Sequence, residues 1–356
     1  MPVSAKAARP GTLSASAFLI FGALLVACFF AAALSLPGDR YLRFQQLKDT
    51  EQYRAQWIYE RIHFDPTPID VAILGPSRSL FAVNGPRLER DLAALGYPGL
   101  HVVNFSLPDD GYDLVQALAK ELVKYRRPKV MVVSISEQPS RKSHPAFKEL
   151  ADSWDIVRSP LDSISYLENL VRAAYRQIAL ALVQAAPGFF GQSLSFDPSR
   201  YAGPSVDTTV DVRLPDGQLV DHSSVKSLSA LETDRARFLS HTHAPLLGGR
   251  VDFLEFAITR FGIDGIAKAA RAAHAKLYFL YQGYYRGPRE PYDKALYTSR
   301  GTLLSGNAGM DDYRLFVDSR HRNHQGAVVL TDALADQLAA DWKKDPRAAP
   351  IREALR

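Results

Sequence analysis

Ser77, Asp318 and His321 are the residues whose types and settings point to chemistry. Ser77 follows an apolar run (Ile69, Val71, Ala72, Ile73, Leu74) and the breaker pair Gly75-Pro76 in IDVAILGPSRSLFAVNG. That pattern predicts a buried strand, a sharp turn and a small hydroxyl side chain at its tip. Open α/β sheets hold reactive groups just past the carboxyl ends of such strands. A serine before a helix is also an ordinary cap, and on this stretch alone the cap is the commoner reading. Near the other end, YRLFVDSRHRNHQG carries an apolar run (Leu315, Phe316, Val317), read as a strand, then Asp318 and, three residues on, His321. In a loop after a strand, that spacing lets a carboxylate hold one imidazole nitrogen while the other faces a serine hydroxyl. The chemistry would be nucleophilic acyl transfer through an acyl-serine.

The elements that must position these groups follow from periodicity. Strands are predicted at 69–74, 101–105, 129–135 and 276–281, with helices at 86–95, 112–124, 251–273 and 327–338. The 251–273 helix has a kink expected at Gly262 or Gly265. Alternating strands and helices imply an α/β fold with a three-layer, doubly wound parallel sheet and a cleft built by loops at the strands' carboxyl ends. The loops 106–111 and 136–140 fall on that cleft, where donors to a developing oxyanion should lie; Gln138 or Ser136 could serve as one, with ordinary turn chemistry the equal alternative. The loop 282–292, QGYYRGPREPY, should open on the same edge; its tyrosines suit either sugar stacking or loop packing, and packing is favoured. Residues 141–250 read as an insertion with a helix at 161–183 and a hairpin at 212–220, turned at Asp216-Gly217.

Composition bounds the rest. With 356 residues, 47% of them hydrophobic, the chain can bury one large core, so a single domain at 69–345 with the insertion about 141–250 is expected. A net charge of +5 is mild, and no aromatic-interleaved basic patch argues for nucleic acid. Residues 15–37 carry no charge and are long enough to span a bilayer, preceded by Lys6 and Arg9. They predict an uncleaved anchor in the inner membrane, with 1–14 a cytoplasmic tail and the body outside, in preference to a signal peptide processed near 32–35. Residues 38–68 are expected to form a membrane-proximal amphipathic helix (41–63) and linker that lift the domain off the membrane, and 346–356 a tail. The sole cysteine, Cys28, lies in the anchor, so no disulfide is expected outside. The pair His241 and His243, and His324 beside His321, lack a third ligand, so neither metal nor cofactor is expected.

The blocks GPSRS and DSRHRNHQG resemble those of the SGNH/GDSL hydrolase superfamily, in which the first block carries a nucleophilic serine and the last an Asp-x-x-His. The resemblance places the nucleophile on Ser77, the orienting acid on Asp318 and the base on His321, with Asn323 and Gly326 matching the tail of the last block. It implies an SGNH-like, flavodoxin-like sheet and an oxyanion hole using the nucleophile's own amide and a donor in VVNFSLPDDG, for which Gly111, Asn104 and Ser106 are the candidates. Pro76 stands where the family usually has Asp or Ser, and no Gly-x-Asn-Asp block is present. With the anchor, the chain is similar to the membrane-attached branch that acylates or deacylates cell-envelope polymers, such as the D-alanine transfer proteins. That implies a periplasmic O-acyltransferase, with O-acetylation the expected transfer, acting on a polysaccharide or other envelope glycan beside a membrane-bound O-acyltransferase partner. An SGNH esterase or deacetylase, and a non-catalytic glycan-binding subunit of a polysaccharide export complex, are the alternatives.

Overall fold

The computed structural model describes residues 14–242, 244–247 and 251–344. The described residues begin with α1 (Ala15–Leu34), then α2 (Arg40–Gln45) and α3 (Arg54–His63). The sheet domain runs β1 (Val71–Leu74), α4 (Ser77–Ala82), α5 (Gly85–Ala94), β2 (Val102–Asn104), α6 (Tyr112–Tyr125) and β3 (Val130–Ile135). The inserted region holds α7 (Phe147–Leu150), α8 (Ser153–Val157), α9 (Tyr166–Ala185), the hairpin β4 (Val212–Arg213) and β5 (Leu219–Val220), and α10 (Leu228–His241). The chain closes with α11 (Asp252–Glu255), α12 (Ala257–Ala272), β6 (Lys276–Tyr281), α13 (Lys294–Thr298), β7 (Thr302–Ser305) and α14 (His324–Lys344).

Five strands pair in parallel in the order β2-β1-β3-β6-β7. The order reverses between β1 and β3, the switch point where open sheets form their crevice. Alternate residues of each strand face different helical layers, because successive side chains point to opposite faces. Ala72, Leu74, Met131 and Val133 pack under α3, α6 and α12 through Ile58, Ile62, Leu118, Leu122, Ile263 and Ile266. Val71, Ile73, Val130 and Val132 pack under α5 and α14 through Leu88, Leu92, Leu330, Leu334 and Trp342. The strands are apolar on both faces because both faces are covered.

Four local features differ from the sequence expectation. Residues 41–63 do not form one stand-off helix. They divide into α2 and α3, whose Leu42, Phe44, Ala55, Ile58 and Ile62 are buried, so this segment belongs to the domain core. The 251–273 segment is not one helix either: it breaks at Phe256 between α11 and α12, and α12 runs on through Gly262 and Gly265. A Cβ on Gly262 would lie 2.3 Å from the backbone carbon of Tyr112, and one on Gly265 would lie 2.2 Å from the Gln116 side chain, so both glycines let α12 lie close against α6. The run 315–317 is not a sheet strand: a 3₁₀ turn, Tyr313–Leu315, leads into a single bridge between Phe316 and Arg322. A fifth strand, β7, escaped the periodicity.

Candidate active site

β1 runs straight into α4 through Gly75 and Pro76, and Ser77 is the first residue of the helix. Gly75 has φ +153°, and a Cβ there would meet the Ser79 Oγ at 2.6 Å and the Ser134 Cβ at 2.8 Å. Only glycine fits so tight a turn against the neighbouring strand. Of the two serines in GPSRS, Ser79 is fully buried, donates to the Pro76 carbonyl and meets the Ser106 hydroxyl at 2.8 Å. Ser77 is half-buried and faces outward.

The loop between the 3₁₀ turn and α14 brings the other two groups to it. The Ser77 Oγ lies 2.7 Å from the His321 Nε2. The His321 Nδ1 lies 2.8 Å from the Asp318 Oδ2. The Asp318 Oδ1 also accepts the amides of Arg320 and His321, each at 2.8 Å. Burial raises the Asp318 carboxyl, but the hydrogen bond and charge of His321 and these amides outweigh it, holding its pKa well below the usual carboxylate range. A carboxylate at Nδ1 fixes the proton there, leaving the Nε2 lone pair toward the serine hydroxyl. Asn323 holds the loop by accepting the Gly326 amide at 2.9 Å and donating to the Arg314 carbonyl at 2.7 Å. A Cβ on Gly326 would collide with the Leu315 carbonyl at 2.1 Å.

Ser77 and His321 line a cleft of ≈ 700 Å³ at the carboxyl ends of the strands. Its walls are polar: Asp109 and Asp110 after β2, Ser136, Glu137 and Gln138 after β3, and Arg320 beside His321. Beneath them the buried Arg78 guanidinium grips both oxygens of Glu137, one at 2.9 Å, and donates to the Gln282 carbonyl at 2.8 Å. Burial opposes the Arg78 charge, and the Glu137 carboxylate more than restores it. The insertion supplies the outer wall through Phe238 and Thr242, and Asp234 of α10 accepts the Ser319 amide at 2.7 Å, tying α10 to the Asp318–His321 loop. His222, also from the insertion, lies buried against the Phe81 ring, whose other neighbour is His321. Neither His222 ring nitrogen has a hydrogen-bond partner among the described residues.

The three oxyanion candidates do not line this cleft. Asn104 donates both amide hydrogens to carbonyls of the α4 segment, Ser79 at 2.9 Å and Val83 at 2.8 Å, and accepts the Ser106 amide. Ser106 is engaged with Ser79, and its carbonyl accepts from Arg54. Gly111 packs on His144, which a Cβ there would meet at 2.4 Å. These residues therefore seat α4 and α6. The donors nearest the serine by position are the amides of Ser77 and Arg78 themselves, which open α4 and have no carbonyl within their own helix.

Elsewhere Tyr285 is buried against Phe316, and Tyr284 packs on Phe238; neither they nor Tyr292 line the cleft. Arg322 is buried, donates to the Gly306 carbonyl at 3.0 Å, and is pushed down to about 10 by burial alone. His241 ends α10 on the Arg237 carbonyl, and His324 meets Thr209; His243 lies outside the described residues. The roles of Arg78, Glu137, Asp234 and His222 carry no sequence signal, since each depends on a partner dozens of residues away.

No family model, curated protein or solved structure matches the chain, so the site stands on its own geometry.

Proposed function

We propose that this chain is a membrane-anchored serine acyltransferase with the Ser-His-Asp constellation of SGNH-type enzymes, transferring an acyl group, acetyl in the simplest case, to a hydroxylated glycan outside the inner membrane. The carrying observation is the continuous relay from the Ser77 Oγ to His321 at 2.7 Å and on to Asp318 at 2.8 Å, opening on the sheet's cleft. His321 takes the Ser77 proton as the oxygen attacks an ester or thioester carbonyl, and Asp318 stabilises the imidazolium. The amides of Ser77 and Arg78, at the open start of α4, are the proposed donors to the developing oxyanion, and each such donor is worth roughly 3–4 kcal/mol. The imidazolium returns its proton to the leaving group. A sugar hydroxyl then gives its own proton to His321 and attacks the acyl carbonyl, and the C–O bond to Ser77 breaks as His321 passes that proton to the departing Ser77 Oγ. The hydrophilic walls and the size of the cleft favour such an acceptor over an apolar one. Water in the same position would make the chain an esterase. The anchor is α1, which has 20 uncharged residues and is long and apolar enough to cross a bilayer; a membrane-bound O-acyltransferase is the proposed acyl source.

The test is turnover of an activated aryl acetate by the full chain with and without a soluble polyhydroxylated glycan. The proposal expects an aryl-alcohol burst stoichiometric with protein, absent in Ser77→Ala, and acetate recovered on the glycan. A burst with acetate released only to water would establish the esterase. No burst, with glycan binding intact, would favour a binding subunit.

A further inference from the structure

The outer surface of α9 carries an exposed apolar stripe. The face turned to the core buries Ala173, Ala174, Leu180 and Val183 together with Asn169, Arg176 and Gln177. Asn169 donates to the Ser143 hydroxyl at 2.7 Å, Arg176 through one guanidinium nitrogen to the carbonyls of Lys148 and Ala151 at 2.8 Å, and Gln177 to the Leu36 carbonyl at 2.8 Å, while the Arg176 Nη2 has no hydrogen-bond partner among the described residues. The face turned outward carries Leu167, Val171, Tyr175, Ile178 and Leu182, which fall on one stripe at helical spacing. Leu167, Tyr175 and Leu182 are 72%, 67% and 65% exposed, and Phe189, just past the helix, is 87% exposed. A helix face turned to water would carry polar residues at these positions.

What lies against this stripe follows from where α1 is rooted. The last turn of α1 packs on α9, and the segment after it is pinned there: Gly38 sits against Leu180, and the Asp39 amide donates to the Gln184 side chain at 3.2 Å. A helix that crosses the bilayer and emerges on α9 holds α9 at the bilayer surface. We infer that the exposed stripe of α9, extended by Phe189 and Phe190, is a lipid-contacting face that lies in the membrane interface and fixes the domain against the bilayer beside α1. This rests on the reading of α1 as a membrane span. Helices of this kind sink their apolar face roughly 5–10 Å into the headgroup boundary. The polar edge of the stripe, Glu168 paired with Lys148 and then the exposed Arg172, remains at headgroup level. The domain is thus held close on the membrane through α9, with α2 and α3 in its core.

The experiment uses the full chain in vesicles of phosphatidylethanolamine and phosphatidylglycerol containing doxyl-labelled lipid. The native Cys28 is the sole cysteine, so an environment-sensitive fluorophore on it reports α1 itself. In a Cys28→Ser background, Leu167→Cys, Tyr175→Cys and Leu182→Cys report the stripe, and Arg90→Cys, exposed on α5 in the opposite helical layer, is the reference. The stripe labels should shift to the blue and lose intensity to the doxyl lipid, with the Arg90→Cys label unchanged. Quenching at Cys28 without quenching at the stripe would overturn the inference and leave the anchor standing. No quenching at Cys28 would overturn both. Stripe labels shielded in native membranes yet open in vesicles would assign the face to a protein instead, and would also overturn it.

Discussion

Asp318→Asn isolates the orienting carboxylate from everything else in the site. Asp318 Oδ1 accepts two loop amides at 2.8 Å, while Oδ2 faces the His321 Nδ1. An asparagine keeps its carbonyl on the two amides, because turning the group over would forfeit both bonds at about 1 kcal/mol each, a bias of roughly thirtyfold. Its NH₂ then points at Nδ1 and favours the tautomer with the proton on Nε2, where Ser77 needs an acceptor. The loop and fold stay as they are, and the rate of acyl-serine formation should fall by about 10³–10⁴. The assay is the pseudo-first-order rate of Ser77 modification by a fluorophosphonate, with far-ultraviolet circular dichroism and Tm confirming an intact fold. A variant that reacts at the wild-type rate would refute the role of Asp318, and equal losses of rate and Tm would mean that the residue only holds the loop.

Three further outcomes follow from the geometry. Asp113 is buried with one oxygen on the His144 amide, and burial raises its pKa to about 7. A carboxyl raised in the folded state binds its proton there before it does unfolded, so stability falls as pH climbs from about 4 to about 7. Asp113→Asn should therefore raise Tm at pH 8 and leave it nearly unchanged at pH 4; an equal effect at both would refute the assignment. Gly262→Ala gains about 1 kcal/mol of helix propensity but drives a Cβ to 2.3 Å from the Tyr112 backbone. Overpacking of about 1–3 kcal/mol or more should win, lowering the urea midpoint, whereas a stabilised variant would contradict the α6–α12 contact. Asn104→Ala strips the donors from the Ser79 and Val83 carbonyls and should cost about 2–4 kcal/mol in urea titration while slowing Ser77 modification; slow modification at unchanged stability would return Asn104 to a direct part in the site.

Much of the scaffold was legible because its signals are local. β1, β3 and β6 are apolar runs of four to six residues buried on both faces, and α5 opens with Asn84 as its cap and proline in its first turn. β7 is an edge strand with only Leu304 buried, so TLLS has little to distinguish it from a loop. The run 315–317 has strand composition, but the backbone there is spent on a turn that aims Asp318 and His321. The division of 41–63 carries no glycine or proline; tertiary burial of Leu42 and Ile58 decides it. In the site, Ser77 stood out by its breaker pair and Asp318 and His321 by their spacing. The floor of the cleft did not, because the Arg78–Glu137 pair joins positions 59 residues apart. Asn104 and Ser106 sat at the expected place in sequence, but their side chains turn inward to hold α4.

The measurement that bears most directly on the proposed activity is fluorophosphonate labelling of the full chain, followed by peptide mass spectrometry, on the native protein and on Ser77→Ala and His321→Ala. An activated nucleophile predicts a single phosphonylated peptide bearing Ser77, abolished in the first variant and all but lost in the second. Labelling that persists in Ser77→Ala, or a native protein that takes up no label while folded, would contradict the catalytic account.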